Sequence, residues 1–161
     1  MHNKSVIGYS GEVTIKYNKS GKTIELKKHN EGFTALFRTI ASLLSGDGFP
    51  FGSIYGVSLK VVTTGGEYNL LNNQVIPITQ RPRPVMLSDG GYACSVNTTI
   101  AASDRNSTTV GSDDAVYLYL VSSNNTELAK VEIEKEAVTS IAPGVQLFIQ
   151  WDLIINNAPQ A

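Results

Sequence analysis

Strict alternation opens the chain. Over residues 12–17 Val13, Ile15 and Tyr17 occupy every second position, and the same period returns over 22–28 with Ile24 and Leu26. A period of two puts such residues on one face of a strand, and Asn18, Ser20 and Gly21 between the runs are turn formers. The pattern predicts a β-hairpin with Val13, Ile15 and Tyr17 facing Ile24 and Leu26 inward, and Lys16, Lys22 and Glu25 outward.

The period then changes. Phe33, Leu36, Phe37, Ile40, Leu43 and Leu44 recur at three- and four-residue intervals, the stripe of an amphipathic helix. Asn30 as N-cap, Glu31 in the first turn and Gly46 as the stop bound it, which predicts one helix near residues 31–45. Beyond it, 53–62, 92–100, 115–121, 127–134 and 145–155 read as strands, and 75–79 as a short edge strand limited by Pro77. In the last strand Ile149, Trp151 and Leu153 share a core-facing side. The segment 81–84 is extended, because each of its two prolines disfavours the α region for the arginine before it.

Many strands and one helix predict a mainly β chain, an antiparallel β-sandwich of the jelly-roll or immunoglobulin-like kind. Parallel pairing would need a long, usually helical crossover for each pair, and only one helix is on offer. At 161 residues and 17.3 kDa the chain is one domain spanning 1–161. Asn, Ser and Thr number 40 and Lys plus Glu only 17, a balance that suits turns and exposed strand faces over charged helices.

Charge narrows the function. Thirteen basic against fourteen acidic residues leave a net charge of -1, with no excess to neutralise phosphates, so direct nucleic-acid binding is not expected. No apolar run reaches the roughly 20 residues of a membrane helix. The chain begins Met1-His2-Asn3-Lys4-Ser5 and runs into a polar, alternating segment without the apolar core of a secretory signal, which points to synthesis in the cytoplasm. The single Cys94 excludes an intrachain disulfide or a multi-cysteine metal site.

Candidate chemistry is sparse. His29 at the junction before the predicted helix reads as a cap or packing residue, and Cys94 in an alternating strand as a buried structural thiol with no basic neighbour to activate it. Asp104, Asp113 and Asp114 suggest a calcium loop, but Thr109 stands where such a loop needs glycine and the closing glutamate is missing. No nucleophile, base and orienter assemble, so we expect neither an enzyme nor a cofactor or metal site.

Two features suit docking. Arg81 and Arg83 place permanent charges on a stiff segment, which is either an arm that grips partner carboxylates or a solvated crossover. Phe49 and Phe51, between Gly48 and Gly52, either close the core or form a knob for a neighbour. Pro77, Pro82 and Pro84 protect a single region, so other sheet edges are expected to find partners in an oligomer such as a trimer.

The segment 26–46, with its lysine-rich strand, His29–Asn30 turn, Leu36–Phe37 helix and Gly46 stop, resembles small virion proteins of tailed bacteriophages, crAss-like phages among them. The closing segment 145–155 with Trp151 is similar to their final strand. The resemblance implies a non-enzymatic structural component of the virion: a capsid auxiliary or decoration protein, a head-fibre base or a tail accessory. Its partners would be the major capsid protein, other virion proteins or further copies of itself, with Arg81, Arg83, Phe49 and Phe51 as the interface candidates. The alternative is a carbohydrate-binding or adhesin-like sandwich module.

Overall fold

Alternating runs become strands where they are long enough to bury one side and pair along both edges. The computed structural model describes residues 7–32, 36, 38, 46 and 53–157. The opening hairpin joins β1 (Ile7–Lys19) to β2 (Lys22–His29). Its turn needs left-handed backbone at both central residues, and Ser20 and Gly21 adopt φ 53° and 79°. The Gly21 amide donates to Asn18 Oδ1 at 3.0 Å, which pins the turn. Val13, Ile15 and Tyr17 are buried, with Ile15 opposite Leu26 and Tyr17 opposite Ile24, while Lys16, Lys22 and Glu25 are exposed as predicted.

The sandwich is built from two antiparallel sheets. The first runs β2-β1-β11-β8-β7, using β11 (Leu147–Asn157), β8 (Tyr92–Ile100) and β7 (Pro84–Met86). The second runs β3-β10-β9-β4-β5, from β3 (Glu31–Gly32), β10 (Glu127–Ile133), β9 (Ala115–Ser122), β4 (Ile54–Thr63) and β5 (Gly66–Asn69), with β6 (Ile76–Pro77) also on β4. Trp151 is wholly buried in a core shared with Val96, Ile15, Leu59 and Leu118. Full burial of side chains this size contributes about 1.5–3 kcal/mol each. Ile149, Trp151 and Leu153 do lie on one buried face.

Three expectations change. Residues 31 and 32 form a strand, not the first turn of a helix: Glu31 stands opposite Lys130 and Gly32 opposite Ala129. The Asn30 side-chain oxygen Oδ1 accepts the Trp151 indole N–H at 3.3 Å. Leu36 is helical and buried and Arg38 helical and exposed; Phe33, Phe37, Ile40, Leu43 and Leu44 lie outside the described residues. Second, the one proline-bearing region of the chain borders both sheets: Pro77 lies in β6 on the second sheet and Pro84 in β7 on the first, so each sheet has a proline at one border. Third, a short helix, Lys135–Thr139, links β10 to β11 with Ala137 and Val138 buried. Five residues are too few to show a helical period. Among the described residues no helix is long and apolar enough to cross a membrane.

Candidate functional site

The extended segment at 81–84 feeds directly into β7. Arg81 and Arg83 are exposed, and the strand continues their line with Val85 at 62% and Met86 at 67% exposure. A hairpin turn, in which the Leu87 amide donates to the Gly91 carbonyl at 2.7 Å and the Gly91 amide to Asp89 Oδ1 at 2.9 Å, returns the chain into β8. The register then sets Met86 opposite Tyr92 and Tyr92 opposite Ile155. Residues paired this way share a face, so Met86, Tyr92 and Ile155 form an exposed apolar row across three strands, on the face that further along the sheet carries Trp151. Arg81 and Arg83 come just before the strand that carries Met86, in the exposed segment leading into it, and alternation along the chain does not reveal the row. Phe49 and Phe51 lie outside the described residues.

A second feature occupies the outer face of the other sheet. Here Lys60 on β4 is bracketed by Glu67 of β5, 3.0 Å away, and by Glu127 of β10. Its ammonium also lies 4.8 Å from the centre of the Tyr119 ring. Burial opposes the charge on Lys60, but hydrogen bonds and charge from Glu127 and Glu67 outweigh it and raise its pKa. Burial, then the nearby Glu67 and Glu127 charges, push the Tyr119 phenol up to about 12. Tyr119 stays a neutral donor and gives its O–H to Glu67 Oε2 at 3.3 Å.

Lys60, Glu67 and Glu127 of this cluster line a groove of about 310 Å³. Gly56 makes its wall possible: a Cβ there would sit 2.1 Å from the Ile76 carbonyl oxygen, so only glycine lets the 74–77 segment press onto β4. That approach brings Gln74 and Val75 over the groove, opposite Asn125 and Glu127. Gln74 and Asn125 both have φ 60°, left-handed backbone rarely taken by side chains larger than glycine. On the groove floor Ser58 is 4% exposed, and its hydroxyl has no hydrogen-bond partner.

The remaining candidates dissolve into local structure. His29 ends β2 and is exposed, so it is not a packing residue. Cys94 is only partly buried, a correction to the buried-thiol reading, because β8 lies next to the short border strand β7; burial still raises its pKa. In the acidic loop Asp104 Oδ2 accepts the Ala101 amide at 2.8 Å and Asp114 Oδ2 the Gly111 amide at 2.6 Å. Arg105 donates to the Leu70 and Thr108 carbonyls at 2.9 and 3.2 Å, and burial lowers its pKa. Asn106 adds a bond to the Asn69 carbonyl at 2.7 Å, so the loop is a clasp holding the end of β5. Among the described residues no group of three or more His, Cys, Asp and Glu is placed to hold a metal ion.

No family model, curated protein or solved structure matches this chain.

Proposed function

We propose that this chain is a non-enzymatic structural component of a bacteriophage particle, a capsid auxiliary or decoration protein or the base of a head fibre, that works by protein–protein docking. The observation that supports this reading is the exposed row of Met86, Tyr92 and Ile155, reached through a strand that the exposed Arg81 and Arg83 directly precede. Arginine and tyrosine around an apolar centre are the side chains that dominate stable interfaces. The likeness of segments 26–46 and 145–155 to phage virion proteins supplies the setting. The partner is then the major capsid protein or another virion protein, with further copies of this chain alongside, and the location is the virion.

The test adds purified chain to particles that lack it. Wild type binds, while Arg81→Ala/Arg83→Ala and Met86→Ser/Tyr92→Ser, each with wild-type circular dichroism, bind at least tenfold more weakly, a loss of about 1.4 kcal/mol or more. Equal binding by both variants removes the β7 border as the docking surface, and a wild-type chain that ignores particles removes the virion reading.

A further inference from the structure

The groove on the outer face of the second sheet goes beyond docking at β7, since it lies on the opposite sheet and is built from different strands. We propose that it is a binding site for a neutral polyhydroxylated ring, such as the terminal sugar of a surface glycan.

Charge selects the ligand class. Lys60 is held between Glu67 and Glu127, so the three groups sum to -1 and leave no spare cation for a phosphate or carboxylate. The same ammonium, seated between the carboxylates, repels a metal ion. What remains is hydrogen-bonding capacity of both kinds: carboxylate oxygens accept, and the Gln74 and Asn125 amides both donate and accept. Ring hydroxyls, each donor and acceptor, match that mixture.

Preorganisation points the same way. Lys60 and the Tyr119 hydroxyl fix Glu67 before any ligand arrives, and Lys60 likewise holds Glu127. The hydroxyl of Ser58 is more than nine-tenths buried, lines this groove and has no partner. A buried hydroxyl left unbonded is costly, and a ligand hydroxyl reaching the floor relieves that cost. Val75 and Val121 add apolar surface for the C–H face of a ring. The volume, about 310 Å³, is at the small end of ligand sites, which span roughly 300–1,000 Å³, and suits one ring better than an oligomer.

The experiment is a heteronuclear NMR titration of the full chain with D-glucose, D-galactose, D-mannose and N-acetyl-D-glucosamine separately, with inorganic phosphate and calcium chloride as controls. At least one sugar is expected to give saturable shifts at the amides of Ser58, Lys60, Gln74 and Asn125, with a Kd on the order of 1 mM. Ser58→Ala and Gln74→Gly, the second of which relaxes a left-handed residue and so does not threaten the fold, are each expected to weaken that binding about tenfold. Both are expected to leave particle binding through β7 intact, which separates this proposal from the docking one. No saturable shift with any sugar overturns it, as do equal affinity in both variants and shifts at these amides from phosphate or calcium alone.

Discussion

The indole N–H of Trp151 donates to the side-chain carbonyl of Asn30 over 3.3 Å, joining the centre of β11 to the residue between β2 and β3. Trp151 is wholly buried, so its N–H is out of reach of bulk water and depends on that partner. Asn30→Ala strands the donor and is expected to cost about 1–3 kcal/mol. Chemical denaturation measures it, and a loss below about 0.5 kcal/mol shows the bond to be dispensable.

Gly56 is the second sensitive position. The Ile76 carbonyl 2.1 Å from its virtual Cβ is backbone and has no rotamer with which to yield. Gly56→Ala must push β6 away from β4, breaking the bond from the Ile78 amide to the Tyr55 carbonyl, now 2.9 Å. The expected cost is about 1–3 kcal/mol, the range for overpacking, with faster hydrogen exchange at Ile78. Unchanged exchange there contradicts the close approach.

Tyr119 sets a pH dependence. Its pKa rises from 10.0 to about 12, chiefly by burial and then by the charges of Glu67 and Glu127. Because the folded state holds this proton more tightly than the unfolded state, the contribution is complete below pH 10 and is lost as pH climbs towards 12. Denaturation midpoints should therefore fall across that window, and less steeply in Tyr119→Phe. Tyrosinate absorbance showing every tyrosine ionising near its ordinary value contradicts the burial and the charge pairing.

The acidic loop is expected to be indifferent to calcium. Its carboxylates at positions 104 and 114 are committed to backbone amides of Ala101 and Gly111. Calcium or a chelator should move the melting temperature by less than roughly 2 °C, whereas Asp104→Ala should cost about 1 kcal/mol. Thermal melts with and without calcium check both, and a calcium-dependent rise of several degrees overturns the reading.

Strands long enough to show their period are legible in the sequence. The hairpin of Val13, Ile15 and Tyr17, the strand Tyr92–Ile100 and the face of Ile149, Trp151 and Leu153 all follow from alternation. Of the elements of two to five residues only β6 is legible, as the proline-limited run 75–79; β3, β5, β7 and the helix Lys135–Thr139 hold too little pattern to count. The tie between Asn30 and the Trp151 indole is hidden because the two residues stand 121 positions apart in the chain. The groove is hidden for another reason. Glu67 lies one hairpin from Lys60, but Glu127 reaches it only because β9 sits between β4 and β10, a neighbour relation that local spacing does not contain.

The most direct test of docking through β7 is the solution mass of the chain by size-exclusion chromatography with light scattering at micromolar concentration. Docking through Met86, Tyr92 and Ile155 predicts wild type at a multiple of 17.3 kDa and a folded Met86→Ser/Tyr92→Ser variant at 17.3 kDa. A wild-type chain that runs at 17.3 kDa, and whose Met86 and Tyr92 resonances do not change when particles lacking the protein are added, contradicts it.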